Sequence, residues 1–203
     1  GMSSLAAGHK TLLPQLMDEL RALGIADHTY FHISDEPRES MLEDYAAARA
    51  LVAPYVDGCP IIDALSSLKF YASGIVKKPI PGINHLQEFV DAGVPGLWTY
   101  YCVSQYKAVS NLFMAMPAAR TRMLGAQLYK YDIEGFLQWG YNFYNSQYSL
   151  YPIDPYAVTD ADGVFPAGDA FQVYPGANGE PEESIRLLLC HMAMQDLRAL
   201  RWL

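Results

Sequence analysis

The sequence predicts an α/β fold with a parallel sheet, because short apolar segments typical of strands alternate with segments that have helical periodicity. A closed (β/α)8 TIM barrel needs eight strands and usually about 250 residues, whereas this chain has 203 residues and five strand-like segments. We therefore expect the C-terminal part of a TIM-barrel-like fold, with about five βα units. Its open sheet edges would be covered by self-association or by N-terminal domains outside this chain. A small doubly wound sheet is the structural alternative.

The N-terminal part of the chain predicts two helices around one strand. Leucines recur at helical spacing over 11–23, and Gly24 is placed to end that helix. The apolar run over 28–34 predicts a buried strand. Residues 38–53 predict a second helix, which Pro54 ends because proline cannot continue a helix.

Three further strands are predicted in the middle of the chain. The apolar runs over 59–65 and 80–84 are short enough for buried strands. A short helix follows to about residue 92, where Gly93 ends it. The run over 95–102 combines branched and aromatic residues and predicts the next strand.

The last third of the chain begins with a helix over 117–131 that leads into a strand over 135–140. From 141 to 176 the sequence is aromatic and interrupted by proline and glycine, which predicts a functional loop region rather than disorder. Residues 182–203 predict a terminal amphipathic helix with acidic residues in its first turn. Its apolar stripe comprises Ile185, Leu188, Leu189, Met192 and Leu200.

Asp35 and Glu36 directly follow the strand over 28–34. Catalytic residues of barrel enzymes lie at such strand tips, and two carboxyl groups in one pocket repel each other, which separates them into an acid and a base. Alternate side chains share a face of a strand, so Glu36 lies with Ser34 and His32, and Asp35 joins them only if the strand ends or bulges. The pair therefore indicates either glycoside-cleaving chemistry or a cap of the next helix. If it ends a fourth barrel strand, the remaining four match strands five to eight.

Aromatic residues at strand ends are candidates for sugar binding, because flat rings pack on the apolar face of a sugar. Trp98 and Tyr100 share a face of one strand, and Trp139 lies near the tip of the last one. Tyr141 and Asn142 follow that tip, and these two residues and His32 are further candidates for substrate binding. For Trp98, Tyr100 and Trp139 a structural role in the core is the alternative interpretation.

Composition excludes several classes of function. The net charge of −8 and the absence of a basic cluster argue against nucleic-acid binding, and no apolar run approaches the length of a membrane span. Cys59, Cys102 and Cys190 lack metal-site spacing and are expected to be buried, inert thiols, so we expect no metal and no cofactor. We expect no signal peptide at the N-terminus, and Gly1 ahead of Met2 is typical of a tag remnant. If the chain is part of a longer protein, that protein could be cytoplasmic or secreted, so the compartment stays open.

Several strings occur in a characteristic order along nearly the whole chain. They are His32-Ile-Ser-Asp-Glu-Pro37, Trp98-Thr-Tyr-Tyr101, the segment from Arg122 to Asn142, Tyr174-Pro-Gly176 and Ser184-Ile-Arg186. In these strings the chain resembles the domain of unknown function numbered 4091. That group is related to glycoside hydrolase family 123, the retaining β-N-acetylgalactosaminidases.

The resemblance implies an enzyme that cleaves N-acetylhexosamine glycosides by a retaining, substrate-assisted mechanism, in which the 2-acetamido oxygen of the sugar attacks the anomeric carbon. Glu36 would match the general acid and base, and Asp35 would match the residue that orients the acetamido group. Residues 1–203 would form a single, partial catalytic-type barrel domain without the N-terminal β-sandwich of relatives.

Two other functions stay open. The first is a non-catalytic carbohydrate-binding or scaffold domain derived from a glycosidase, which would bind sugar through its tryptophans without turnover. The second is an interaction module whose open sheet edges and aromatic loop recruit a protein partner.

Overall fold

The computed structural model describes residues 5–203, and side chains from His9 onward. The helices are α1 (Leu5–Ala22), α2 (Leu42–Val52), α3 (Lys69–Ala72), α4 (Leu86–Asp91), α5 (Ala118–Arg122), α6 (Leu124–Lys130) and α7 (Ile185–Leu200). The strands are β1 (Ile62–Ala64), β2 (Lys78–Ile80), β3 (Trp98–Tyr100), β4 (Gly135–Leu137), β5 (Val173–Pro175) and β6 (Pro181–Glu183). Short 3-10 turns lie at Ala26–His28, Glu39–Met41, Ala53–Tyr55, Gln147–Ser149 and Ala177–Gly179.

The strands before the aromatic region lie side by side in chain order, and all are parallel. Phe31 forms a parallel bridge with Ile61, β1 pairs with β2, Gly82 forms a parallel bridge with Tyr100, and β3 pairs with β4. Helices connect these strands, as parallel pairing requires. After β4 the pairing becomes antiparallel, at the bridge between Asn142 and Phe171 and in the β5–β6 pair. The predicted mixed architecture with parallel strands is therefore confirmed.

The predicted strand over 28–34 is shorter in the structure than expected. Residues 26–28 form a 3-10 turn, and only Phe31 makes a strand bridge. The physical reason is that the backbone N–H groups of Ile33 and Ser34 donate to a side-chain oxygen of Asp63, at 2.8 and 2.9 Å, rather than to backbone carbonyls of a neighbouring strand.

The two faces of the parallel strands pack differently. On the helix side, the main core contains fully buried aromatic rings such as Tyr45, Phe70, Phe89 and Tyr101. On the other side, Ala64, Ile80 and Tyr100 form a smaller cluster, against which Trp98 and Leu137 pack. This alternation follows the period of two along each strand.

The terminal helix buries a different face from the one that the sequence predicts. Ile185 and Leu188 of the predicted stripe are exposed, whereas Arg186, Ala193 and Leu197 are buried. The predicted acidic residues of its first turn, Glu182 and Glu183, lie in β6 instead. Helix α7 packs closely against α6, where a Cβ atom on Gly125 would lie 2.0 Å from the carbonyl oxygen of Ala193.

Within residues 5–203, none of the helices combines the length and apolar character needed to cross a membrane.

We expect Gly125→Ala to destabilise the protein by about 1–3 kcal/mol, because the added methyl group would overpack the contact between α6 and α7. Helix propensity alone predicts the opposite sign, since alanine favours a helix over glycine by about 1 kcal/mol. Ala119→Ser adds one heavy atom at an exposed position of α5 and should change stability by less than about 0.5 kcal/mol. Urea unfolding of the three proteins measures the difference, and a stabilised Gly125→Ala would contradict the close packing.

Candidate active site

A buried carboxylate, Asp63 of β1, organises the segment that leads to the acidic pair. Its Oδ1 accepts the backbone N–H groups of Ile33 and Ser34 and lies 2.7 Å from Nδ1 of His32. Its Oδ2 accepts the hydroxyl group of Tyr45 from α2. We call this group of residues the Asp63 cluster. Its hydrogen bonds satisfy the carboxylate of Asp63, which is 1% exposed, and fix residues 32–34 against β1.

Asp35 and Glu36 follow the Asp63 cluster in a bend of the chain. The backbone N–H of Glu36 donates to the carbonyl oxygen of Ala64 at 3.0 Å, and Glu36 has a φ of 43°. A left-handed backbone is uncommon for glutamate and costs free energy, which is a feature of functional sites. Among the described residues, no side-chain cap hydrogen bond is formed at the N-cap of the turn Glu39–Met41 or of α2, which does not support the helix-cap interpretation of the pair.

Both carboxylate side chains line one cavity of about 300 Å³ at the carboxyl ends of the parallel strands. The bend brings Asp35 and Glu36 to the same side, as the sequence required for the two to act together. The cavity is also lined by Ala64, Tyr100, Tyr101, Cys102, Val103, Leu137, Trp139 and Phe165. Carboxyl groups among aromatic and aliphatic walls are typical of a ligand site.

Two side chains donate hydrogen bonds to the same oxygen of Glu36. The hydroxyl group of Tyr100 donates to Oε1, and the thiol of Cys102 lies 3.7 Å from that atom. Burial, followed by the hydrogen bond to Glu36, raises the pKa of Tyr100 well above its usual value. Burial also raises the pKa of Cys102 to about 11. Both groups therefore keep their protons near neutral pH.

Burial raises the pKa of Asp35, and the neighbouring Glu36 raises it further. His32 acts in the opposite direction, because its positive form favours ionised Asp35. The hydrogen bond to Asp63 raises the pKa of His32, against the effect of partial burial. A cationic imidazole next to the acidic pair is thus favoured by the same Asp63 cluster that positions the backbone.

A second buried carboxylate holds the indole of Trp139. The indole N–H donates to Oδ2 of Asp169 at 3.2 Å, and the ring packs against Phe143 and Phe165 at centroid distances of 5.6 and 5.2 Å. Asp169 is fully buried, and within residues 5–203 its Oδ1 has no hydrogen-bond partner. Burial raises the pKa of Asp169 to about 6, although the indole bond opposes the shift.

The structure brings four of the predicted site residues to the cavity, namely Asp35, Glu36, Tyr100 and Trp139. The other four do not line it. Trp98 lies at the opposite end of β3, packed against Tyr30 and beneath Lys78. His32 binds Asp63, while Tyr141 and Asn142 are exposed where the chain pairs with residues 171–173.

Sequence reasoning did not select Asp63, Asp169 or Cys102 as site residues. The signal for Asp63 was a charged residue within an apolar strand, which requires buried partners. Cys102 was expected to be a buried, inert thiol, but it is partly exposed and contacts Glu36, because the chain leaves β3 at the cavity wall. Arg186 of α7 donates to the carbonyl oxygen of Phe171 at 2.8 Å, and no described carboxylate lies within ion-pair distance of it.

In the described part of the chain, no three histidine, cysteine, aspartate or glutamate side chains are grouped so that they could hold a metal ion.

Comparisons with known proteins agree on one family. The model of the glycoside hydrolase 123 catalytic domain matches residues 3–203. The structure is similar to that of a family 123 glycoside hydrolase from Clostridium perfringens, which hydrolyses glycolipid glycans, with a TM-score of 0.65 and 18% sequence identity. The match covers 94% of this chain and 34% of that chain, so this chain spans about a third of that enzyme. At this identity the likeness shows the fold. Comparison with curated proteins gave no match.

We expect Asp63→Ala to lower the free energy of unfolding by about 3–5 kcal/mol, because it leaves the buried donors of the Asp63 cluster without an acceptor. Asp57→Ala removes an exposed carboxylate six residues earlier and should change stability by less than about 0.5 kcal/mol. Chemical unfolding at neutral pH measures both variants. Equal stability of the two variants would show that the cluster does not hold this segment.

Asp169 should make stability depend on pH. Because its pKa is raised to about 6, the folded state binds a proton more tightly than the unfolded state, so this contribution to stability falls as pH rises from about 4 through about 6. At higher pH the loss of stability stays constant at about 3 kcal/mol, the free energy that corresponds to the shift in the pKa of Asp169.

Asp169→Asn should therefore become increasingly stable relative to the wild type as pH rises from 5 to 7.5, when stability is measured as the free energy of unfolding. Trp139→Phe should move the transition of the otherwise native protein to higher pH, because it removes the indole donor that opposes the shift. A pH-independent difference would contradict a buried, titrating Asp169.

Proposed function

The chain belongs to the glycoside hydrolase 123 catalytic-domain family, and from this premise we propose that it cleaves N-acetylhexosamine glycosides by a retaining, substrate-assisted mechanism. The observation that carries the proposal is that Asp35 and Glu36 open onto one cavity together with Tyr100 and the indole of Trp139. Metal-free glycosidases need a proton donor and a stabiliser of positive charge on opposite sides of the reacting bond, and two carboxyl groups in one pocket supply both.

In the proposed first step, protonated Glu36 gives its proton to the glycosidic oxygen as the bond between that oxygen and the anomeric carbon breaks. The carbonyl oxygen of the 2-acetamido group supplies the electron pair that forms the new bond to the anomeric carbon. The product is a positively charged oxazolinium ring. Ionised Asp35 accepts the amide N–H of that ring and stabilises its charge.

In the second step, the Glu36 carboxylate takes a proton from a water molecule as the water oxygen attacks the anomeric carbon. The bond from that carbon to the acetamido oxygen breaks, and the acetamido group is restored. Two inversions at one carbon retain the configuration. Asp35 must be ionised throughout. Burial and the neighbouring Glu36 raise its pKa, and the cationic form of His32 opposes that shift.

The walls of the cavity fit a sugar. The exposed side of the Trp139 indole offers a flat apolar surface, while Asp169 and Phe165 fix its orientation. Tyr100 reaches the substrate region from the neighbouring strand. His32, Trp98, Tyr141 and Asn142 do not line this cavity, although His32 lines an adjoining pocket together with Asp35. Under this proposal Trp98, Tyr141 and Asn142 would contact other parts of an extended glycan.

We also propose the finer architecture that the sequence predicts, a C-terminal part of a TIM-barrel-like fold in the group numbered 4091. Its support is the chain-order sequence of parallel pairs from Phe31 to β4. Residues 1–203 would form one partial catalytic-type domain, with 141–176 as its aromatic loop region. Self-association or additional N-terminal domains would cover the open edges of the sheet.

We expect Glu36→Gln to reduce hydrolysis of an aryl 2-acetamido-2-deoxy-galactoside by roughly 10²- to 10⁴-fold, because the amide cannot donate the acid proton. Asp35→Asn should reduce it by roughly 10²- to 10³-fold through loss of charge stabilisation. Glu39→Gln is the matched control, since Glu39 binds Lys69 on the exposed surface and should affect turnover little. Full activity of Glu36→Gln would refute the role of Glu36.

The acetamido group gives an independent test of the mechanism. Replacing the N-acetyl group of the substrate by N-fluoroacetyl groups withdraws electrons from the attacking carbonyl oxygen, so the rate should fall with each added fluorine. A protein carboxylate acting as nucleophile would give rates that hardly depend on fluorination. If the chain binds a thiazoline analogue of the cyclic intermediate but turns over no substrate, the non-catalytic carbohydrate-binding function is correct. If the chain neither binds the analogue nor turns over the substrate, both functions are refuted.

A further inference from the structure

The two carboxylate oxygens of Glu36 have different surroundings. Oε1 accepts the hydroxyl group of Tyr100 and faces the thiol of Cys102 at 3.7 Å. In the part of the chain that the structure describes, neither group donates a hydrogen bond to Oε2, and Glu36 is exposed and lines the cavity. The carboxyl group is therefore bound on one side and open on the other.

Both donors point at one atom, and that atom has only two lone pairs. Tyr100 is 6% exposed and packs in one cluster with Ala64 and Ile80, which holds its ring in place beside Glu36. Cys102 is two residues further along the chain, and the backbone N–H of Cys102 is fixed by the side chain of Gln105 at 2.8 Å. These positions are set by β3 and the turn after it, and do not depend on a bound sugar.

We propose that Tyr100 and Cys102 are positioning residues that reserve Oε1 of Glu36 as a hydrogen-bond acceptor and make Oε2 the oxygen that carries the exchangeable proton. The inference rests on the proposed function, and it names the atom through which that function operates. With both lone pairs of Oε1 engaged, the proton of the acid form resides on Oε2. The proton passes from Oε2 to the glycosidic oxygen in the first step and returns to Oε2 from water in the second.

A carboxylate is a stronger acceptor than a carboxylic acid, so each donor binds Oε1 more tightly when Glu36 carries no proton. The other carboxyl group that lines the same cavity is Asp35. Tyr100 and Cys102 keep their own protons near neutral pH because burial raises the pKa of each. The two donors therefore remain available to Oε1 when Glu36 activates water.

The test measures the Glu36 carboxyl group directly, in the full chain labelled with carboxyl-13C glutamate. The signal is assigned by its loss in Glu36→Gln. In Tyr100→Phe the half-titration pH of this signal should rise by about one unit, a tenfold change in the proton equilibrium. Cys102→Ala should give a smaller rise, because a thiol is a weak donor. Cys102→Ser keeps a donor and should restore the wild-type titration.

Tyr144→Phe is the matched control, because its hydroxyl group donates to the carbonyl oxygen of Val173 at 2.7 Å in the loop region. Its Glu36 signal should titrate as in the wild type. An unchanged titration in Tyr100→Phe, or an equal change in Tyr144→Phe, would overturn the proposal.

Infrared difference spectra at low and high pH identify the oxygen. If Oε1 is the carbonyl oxygen of the acid form, its C=O stretch lies at higher wavenumber in Tyr100→Phe than in the wild type, since it has lost a donor. An unchanged stretch would show that the proton sits on Oε1 and would overturn the proposal. Hydrolysis is measured separately. A wild-type chain without turnover on the aryl 2-acetamido glycoside refutes the proposed function, whereas the titration and the spectrum decide the arrangement of the donors.

Discussion

The buried carboxylate of Asp63 is the constraint on which the candidate site depends. A charge without solvent is costly unless hydrogen bonds satisfy it, and Asp63 has donors from two backbone groups, Tyr45 and His32. These donors belong to the segment before the acidic pair and to the helix after it. Satisfying one carboxylate therefore fixes the geometry on both sides of Asp35 and Glu36. The site is positioned by an electrostatic requirement of the core, not by a regular strand ladder.

The three acidic side chains of the site have different surroundings. Asp35 lies near His32, whose pKa is raised by its hydrogen bond to Asp63, Glu36 accepts from Tyr100, and Asp169 is buried with the indole N–H as its donor. No lysine or arginine lines the cavity within the described residues. In such a cavity, proton affinities are governed by burial, by hydrogen bonds and by the repulsion between neighbouring carboxylates, which are the conditions that separate an acid from a base.

The long irregular segment after β4 is part of the site. It supplies Phe165 to the cavity wall and Asp169 to the indole of Trp139. A Cβ atom on Gly140 would lie 2.3 Å from the carbonyl oxygen of Asp169, so the segment packs directly on the end of the last parallel strand. Arg186 of α7 fixes the same segment through the carbonyl oxygen of Phe171. A loop without regular structure is thus positioned by close packing and a hydrogen bond near the aromatic wall.

The sequence by itself determined the order of parallel strands and helices, the acidic pair at a strand end, and Trp139 at the tip of the last parallel strand, because each of these follows from local periodicity and chain order. Only the tertiary structure decided that Trp98 lies at the other end of its strand and that Asp63 and Asp169 support the site. It also decided that α7 buries Arg186 and Ala193, while Ile185 and Leu188 of the predicted apolar stripe are exposed. Asp63 is about 30 residues from the backbone groups it accepts, and Asp169 is 30 residues from Trp139. Contacts of that separation depend on how whole elements pack, and a period of two or 3.6 residues carries no information about them.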